Sequence, residues 1–252
     1  RQLSGVDSKA RGKHAVKGKV AALELHALVS ARAILKQIRV SAPMIGRDAE
    51  LRQIVQTLER AKAGQGSAIG IKGEPGLGKS RLKYEAAKMA RDMCFAVHEG
   101  RAIRFGGMAY WTIGALLKDA LGLAEVLDKD EVLAKVTGAA ERLGMKPVDR
   151  HHLADVLGAR YPDSPIAHLQ PKDIRLNLMI AVRTFCQAIA KEKPRLLVLE
   201  DMHWADGAST EAAEWVAKAA GEMACVVLLL YRPGYEAPKG AANLSTTGNL
   251  EE

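Results

Sequence analysis

The stretch GEPGLGKS, at residues 73–80, combines residue types and a spacing that suit a phosphate group. Its glycines let the backbone approach a ligand closely, so that several N–H groups can point into one concavity. A helix beginning near Lys79 would add the positive end of its dipole, the lysine would reach the β- and γ-phosphates, and Ser80 would ligate Mg²⁺. The predicted nucleotide-binding loop consists of Gly73, Glu74, Pro75, Gly76, Leu77, Gly78, Lys79, Ser80 and Arg81.

Two adjacent acids end the apolar run RLLVLED at residues 195–201. Because consecutive residues of a strand point to opposite faces, we expect one acid to face the Mg²⁺ and the other to orient a water molecule. We favour Glu200 for the ion and Asp201 for the water, and the sequence leaves the reverse assignment open. Metal ligation is thus predicted for Ser80 and both acids, and a catalytic role for Lys79 together with the two acids.

The sequence gives weaker evidence for a functional role of three further polar residues. Arg232 follows an apolar run, where it could sense the γ-phosphate, and a surface role before Pro233 fits the sequence equally well. Arg47 could touch the nucleotide from the preceding helix, or it could be structural. Asp206 precedes a helical run, and an N-cap is its expected role. We retain Arg47 and Arg232 as candidate nucleotide ligands.

The elements that position these residues can be located from the hydrophobic pattern. Apolar residues recur with a helical period after Arg47, and the glycine-rich stretch lies between a short strand-like run at 67–73 and a helix. Further strand-like runs lie at 94–100, 195–201 and 224–232. The residues between 106 and 192 are predicted to be largely helical. Continuous apolar strands alternating with helices indicate a parallel sheet buried on both faces. The predicted fold class is therefore α/β, a three-layer P-loop NTPase with a central parallel sheet and a helical insertion.

The N-terminal segment differs from the rest of the chain in charge. The net charge is +8, and residues 1–42 hold nine Lys/Arg against two Asp/Glu, so most of the excess lies there. A basic run of this kind is typical of a solvated arm, so nucleic-acid binding by this chain is not favoured. The expected organisation is a β-hairpin in 1–28, a linker in 29–42, a P-loop domain in 43–233 and a disordered tail in 234–252.

Composition is that of a soluble globular protein, with 48% apolar and 26% charged residues. No apolar run approaches the roughly 20 residues that a membrane-spanning helix needs. The cysteines Cys94, Cys186 and Cys225 are far apart, which argues against a disulfide framework or a zinc site and fits a reducing compartment. We therefore expect a cytoplasmic location. Since the first residue is Arg1, we expect the sequence to be an internal fragment.

Five stretches resemble a known family in their order and spacing: PMIGRDAELRQI, IKGEPGLGKSRL, YWTIGALL, LVLEDMHWAD and LLLYRP. Over about residues 43–233 they are similar to the ATPase domain of the STAND class, which is related to the AAA+ and Orc-type ATPases. The resemblance implies a switch that uses ATP and Mg²⁺, with slow hydrolysis. It also implies partners in the form of regulatory helical repeats, effector domains or a second copy of the chain. The usual fifth strand and lid are expected to be missing, which would leave one edge of the sheet unfinished.

The stretch RGKHAVKGKVAALELHALV is similar to the last hairpin of a class III nucleotide cyclase domain. Alternative functions therefore stay open: a fragment of an adenylate or guanylate cyclase with its catalytic domain upstream, or of a DNA-binding transcriptional regulator. A transporter ATPase is less favoured, because the signature LSGGQ is absent from the sequence. A P-loop kinase is less favoured because the helical middle, which could be a kinase lid, shows no readable substrate site. The ATP-binding interpretation requires Ser80 to lie close to Glu200 and Asp201.

Overall fold

The computed structural model describes residues 6–14, 23–31, 44, 46–104, 108–123, 128–238 and 241–245. The chain divides into two compact units, Arg1–Ile45 and Gly46–Glu252.

The first unit contains an antiparallel pair of strands, β1 (Val6–His14) and β2 (Leu23–Ala31), where the sequence predicts a hairpin. Strand β2 continues to Ala31, so residues 29–31, which the sequence analysis places in the linker, belong to the strand. The reason is visible in LELHALVSA, where apolar residues keep alternating to its end. The predicted Lys-Gly turn and residues 32–42 lie outside the described residues.

The second unit is built on a five-stranded sheet. Its strands are β3 (Ser67–Lys72), β4 (Ala96–Arg101), β5 (Arg195–Glu200), β6 (Cys225–Tyr231) and β7 (Ala242–Ser245). Their spatial order is β4-β5-β6-β3-β7, and every neighbouring pair is parallel. The central strand β6 is buried at every position, as its uninterrupted apolar sequence predicts for a strand covered on both faces. Because all five strands are parallel, the loop after β3 and the acid at the end of β5 both lie where the strands have their carboxyl ends, which is the carboxyl edge of the sheet.

Helices cover both faces of this sheet. They are α1 (Asp48–Lys62), α2 (Lys79–Asp92), α3 (Trp111–Leu121), α4 (Lys129–Arg142), α5 (Pro147–Val156), α6 (Pro171–Glu192) and α7 (Gly207–Ala219). Helices α1 and α2 pack together on one face, and α3, α6 and α7 pack together on the other, with α4 and α5 joined to that second layer. Within the described ranges, no helix has both the length and the apolar character needed to cross a membrane.

The main core lies between the sheet and the layer formed by α3, α6 and α7. It includes Leu117 of α3, Phe185 of α6 and Leu229 of β6, each 1% exposed or less. Gly100 of β4 permits one close approach in this layer, because a Cβ atom there would lie 2.4 Å from the carbonyl oxygen of Thr112. Helix α3 therefore packs directly on the strand that ends beside the candidate site.

The predicted fold class is confirmed, with helices α3 to α6 forming the helical insertion between β4 and β5. One expectation is wrong at 242–245. The sequence analysis places these residues in a disordered tail, whereas β7 pairs with Ile69–Lys72 of β3 and supplies the fifth strand. The sequence ANLS has a weak strand propensity, and pairing with the edge of β3 depends on a neighbour that local sequence does not reveal. Strand β3 is consequently flanked on both sides.

Candidate functional site

The glycine-rich loop connects β3 to α2 at the carboxyl edge of the sheet. Gly73 donates its N–H to the carbonyl oxygen of Tyr231 at 3.2 Å, which ties the loop to β6. Gly76 and Gly78 adopt positive φ angles of 87° and 76°, a conformation that favours glycine. Gly78 is the N-cap of α2 and has no side chain that could cap the helix. The first N–H groups of the helix can therefore donate hydrogen bonds to an anion. The exposed loop residues are Glu74, Pro75, Gly76 and Gly78.

Lys79 is the first residue of α2, and its side chain turns back over the loop. Its Nζ donates to the carbonyl oxygens of Gly73 at 2.7 Å and Glu74 at 2.8 Å. Burial lowers the pKa of Lys79, and the nearby Arg232 adds to this effect, whereas Asp201 and Glu74 oppose it. The ammonium group is therefore positioned within the concavity of the loop, held by backbone carbonyls.

Ser80 and Glu200 meet across two elements. The Ser80 hydroxyl donates to Oε1 of Glu200 at 3.1 Å, which joins the start of α2 to the end of β5. A hydroxyl and a carboxylate are the oxygen ligands that Mg²⁺ takes in sites it shares with phosphates. In the described part of the chain, no group of three or more His, Cys, Asp or Glu side chains is arranged so that it could hold a metal ion without other ligands. The donor set thus fits a cation completed by phosphate and water oxygens.

Asp201 follows Glu200 in the chain and pairs with a residue of β4. Strand β5 ends at Glu200, and Asp201 follows it in the left-handed conformation with φ of 58°. Its Oδ2 accepts a hydrogen bond from Nε of Arg101 at 2.9 Å. The Arg101 side chain is 66% exposed, so this ion pair contributes little to stability. The alternation of strand residues, on which the sequence argument relies, therefore does not apply to Asp201, and the separate roles of the two acids stay a prediction.

Lys83 and Glu99 belong to the same cluster, and sequence analysis missed both. Nζ of Lys83 donates to Oε2 of Glu99 at 2.8 Å and to Oε2 of Glu200 at 3.0 Å. Burial acts to lower the pKa of Lys83, but the hydrogen bonds and charges of the two carboxylates outweigh it and raise the pKa. The available signal is a four-residue spacing from Lys79, which puts both lysines on one face of α2.

Arg232 follows β6, and its positive charge is close enough to Lys79 to lower the pKa of that lysine. Its guanidinium carbon is 5.1 Å from the centroid of the Trp204 ring, a cation–π distance. The neighbouring His203 ring packs 4.7 Å from that of Trp204. Burial lowers the pKa of His203, with Arg232 and Lys79 acting in the same direction and Asp201 opposing them. Arg232 is therefore close enough to lower the pKa of both Lys79 and His203.

The remaining candidate ligands lie at the periphery of the loop. Arg47 immediately precedes α1, donates to the carbonyl oxygen of Leu77 at 3.4 Å and pairs with Glu50 at 2.8 Å. Arg81 pairs with Glu85 at 2.6 Å, one turn further along α2. Arg47 thus contacts the backbone of the loop, whereas the ion pair of Arg81 with Glu85 lies within helix α2.

Asp206 is the N-cap of α7, as predicted. Its carboxylate accepts hydrogen bonds from the backbone N–H of Ser209 at 2.8 Å, the Ser209 hydroxyl at 2.6 Å and the backbone N–H of Tyr110 at 3.0 Å. Burial acts to raise the pKa of Asp206, but these hydrogen bonds outweigh it and lower the pKa. Asp206 therefore ties the start of α3 to the segment that follows the two acids.

Comparison with known proteins identifies a family and a relative. The sequence model described as the AAA ATPase domain matches residues 43–228. A curated protein of Rhizobium meliloti (strain 1021), named as an uncharacterized protein, is 28% identical over 203 residues. The alignment covers 78% of this chain and 19% of that relative, so the chain spans a minor part of the relative's length.

Proposed function

Since the chain belongs to the AAA ATPase domain family, we propose that it binds ATP with Mg²⁺ and hydrolyses it slowly, as a nucleotide-dependent switch in a larger bacterial signalling protein. The observation that carries the proposal is the 3.1 Å contact between the Ser80 hydroxyl and the Glu200 carboxylate. It supports the proposal because a cation bridging a triphosphate to the sheet needs its two protein ligands at one point. ATP and Mg²⁺ also make the cytoplasm the expected compartment.

Binding follows from the loop and from Lys79. The N–H groups at the start of α2 would donate to phosphate oxygens. Lys79 would exchange its contacts with the Gly73 and Glu74 carbonyls for contacts with the β- and γ-phosphates. Ser80 and Glu200 would hold Mg²⁺, which when bound neutralises charge on the phosphate oxygens. Each of these roles uses an atom that already lies at the carboxyl edge of the sheet.

Hydrolysis follows from Asp201 and Arg232. Asp201 would orient a water molecule for attack on the γ-phosphate, since its second carboxylate oxygen is not the one that Arg101 contacts. Arg232, near Lys79, would contact the γ-phosphate. Hydrolysis by this chain alone is expected to be slow, because the charge of the transferred group is best stabilised by an additional arginine from another subunit. A second copy of the chain, or regulatory repeats of a longer protein, would provide such a partner.

The proposal is tested by titrating ATP and GTP, with and without Mg²⁺, into the wild type and Lys79→Ala. We expect Lys79→Ala to weaken ATP binding by about 100-fold or more, because charge-assisted contacts contribute about 1.5–3 kcal/mol each. Lys88→Ala is the matched control, since Lys88 is an exposed lysine of the same helix. An ATP affinity of Lys79→Ala equal to that of the wild type would refute the proposal.

A second proposal concerns the first unit, in which β1 and β2 form an antiparallel pair. We propose that this pair is the last hairpin of a class III nucleotide cyclase domain in the longer protein. The support is its place immediately before the ATPase domain and the resemblance of its sequence. The gene sequence upstream tests it: two aspartates in a ferredoxin-like pattern are expected, and a different domain there would refute it.

A further inference from the structure

The Glu200 carboxylate is held at both of its oxygens by residues of one helix. Ser80 contacts Oε1 at 3.1 Å, and Lys83, one turn later on α2, contacts Oε2 at 3.0 Å. Lys83 is itself fixed by its second contact, 2.8 Å to Oε2 of Glu99. Glu200 on β5, Lys83 on α2 and Glu99 on β4 are therefore joined by consecutive hydrogen bonds, and Glu200 is the proposed metal ligand.

The Lys83–Glu200 pair lies largely out of solvent, whereas the Glu99 side chain is 41% exposed. The side chains of Lys83 and Glu200 are 16% and 13% exposed. Ion pairs of this kind gain little stability, because the loss of hydration offsets their attraction. Stability alone is therefore a poor reason for placing a lysine between two carboxylates beside the loop.

Orientation of Glu200 provides a better reason. Glutamate has one more rotatable bond than aspartate, so an untethered glutamate at the end of β5 would sample orientations that turn Oε1 away from Ser80. A partner on Oε2 removes that freedom and leaves Oε1 directed at the Ser80 hydroxyl. Carboxylates that bind metals are commonly held by such hydrogen bonds, and loss of the partner weakens the metal site.

We propose that Lys83, fixed by Glu99, is a positioning residue that holds Glu200 in the orientation that binds the divalent cation. This inference rests on the proposed function. Lys83 has a second effect of opposite sign, since its positive charge repels a cation at the same carboxylate. The proposal states that positioning outweighs repulsion, so removal of Lys83 weakens cation binding.

The test measures the cation directly, with Mn²⁺ in place of Mg²⁺. Free Mn²⁺ is followed by electron paramagnetic resonance in the presence of a non-hydrolysable ATP analogue, with the wild type, Lys83→Met and Lys83→Arg. Lys83→Met is expected to weaken Mn²⁺ binding about tenfold or more. Its affinity for the analogue in EDTA should stay within about twofold of the wild type, because the hydrogen bonds of the Lys83 side chain go to Glu99 and Glu200. Lys83→Arg should restore most of the Mn²⁺ affinity, since it keeps the charge and the donors.

A steady-state measurement separates positioning from a purely structural role. In Lys83→Met the Mg²⁺ concentration for half-maximal hydrolysis should rise by the same factor, about tenfold. The kcat at saturating Mg²⁺ should change much less, because a bound cation itself orients Glu200. A general loss of structure would lower kcat at every Mg²⁺ concentration.

Controls separate failure of this inference from failure of the proposed function. Lys88→Met makes the same substitution at an exposed position of α2 and should leave Mn²⁺ binding unchanged. If Lys83→Met does not fold, Lys83→Gln removes the same charge with a polar side chain and is judged by the same criterion. Unchanged or tighter Mn²⁺ binding in the Lys83 variant would overturn the inference. Absence of ATP binding in the wild type would instead overturn the proposed function.

Discussion

The carboxyl edge of the sheet and the helical insertion, α3 to α6, accommodate polar side chains in different ways. At the edge, Ser80, Lys83 and Glu200 contact one another across α2 and β5. In the insertion, His152 of α5 is 1% exposed, and neither of its ring nitrogens has a hydrogen-bond partner among the described residues. Asp149, which is 4% exposed, caps its own helix, because its carboxylate accepts a hydrogen bond from the backbone N–H of Lys146.

This difference indicates that the carboxyl edge serves ligand binding and the insertion serves packing. The edge has complementary charges on separate elements, which is costly to assemble and is expected where a charged ligand binds. The insertion has an apolar interior around Phe185 with local capping, which is what packing requires. Substitutions in the two regions should therefore separate ligand binding from stability.

The largest expected effect on stability comes from the insertion. Phe185→Ala should lower the free energy of unfolding by about 3–5 kcal/mol, because it leaves a cavity in the core. Urea unfolding measures this loss, and Phe185→Leu should show a smaller one. ATP affinity, corrected for the folded fraction, should not change. A fall in that corrected affinity would mean that the insertion takes part in the site.

The largest effect on chemistry should come from Asp201→Asn. Hydrolysis should fall by about 100-fold or more, because the carboxylate that orients the water is lost. Binding of ATP and the midpoint of urea unfolding should stay close to those of the wild type, since the Arg101 side chain that pairs with Asp201 is largely exposed. Single-turnover kinetics measure the rate. An unchanged rate would remove Asp201 from the mechanism, whereas a loss of hydrolysis accompanied by weaker Mg²⁺ binding would favour the reverse assignment of the two acids.

A smaller effect on stability is expected for Asp206→Ala, which removes the N-cap of α7. The loss should be about 1–2 kcal/mol, and Asp206→Ser should recover part of it. Because the folded state lowers the pKa of Asp206, its contribution is present above the unfolded pKa of about 3.9 and is lost as the pH falls further. The free energies of unfolding of the wild type and Asp206→Ala, measured from pH 7 down to pH 3, should therefore approach each other as the pH falls.

The smallest expected effect concerns His152. Burial lowers its pKa, so in the acid range the unfolded chain binds a proton that the folded chain does not. Stability should therefore fall as the pH drops below about 6.5, and His152→Leu should reduce this fall. Thermal unfolding at pH 7.5 and pH 5.5 measures the difference. An identical pH dependence in both proteins would assign the acid sensitivity to other groups.

Much of this architecture is predictable because its signals are local. The glycine-rich stretch and the apolar runs of β3, β5 and β6 are continuous in sequence, and the structure places them within a residue or two of the predicted bounds. The proximity of Ser80 and Glu200 also follows from sequence, since parallel strands bring their carboxyl ends to one edge.

The features that sequence misses depend on partners from other elements. Lys83 gains its place from Glu99 on β4 and Glu200 on β5, and neither neighbour is apparent from the sequence of α2. Strand β7 forms a ladder with β3, although its own propensity is weak. Asp201 lies beyond the end of the strand in a left-handed conformation, so the alternation rule does not apply to it.

The central claim is that one cation joins Ser80 to Glu200, and a double-mutant cycle tests it most directly. The quantity is the gain in ATP affinity that Mg²⁺ confers, measured for the wild type, Ser80→Ala, Glu200→Gln and the double variant. Ligands of a shared ion should couple by about 0.5–3 kcal/mol, so the second substitution should cost much less once the first is present. Strictly additive losses, or a Mg²⁺ effect that survives in the double variant, would contradict the claim.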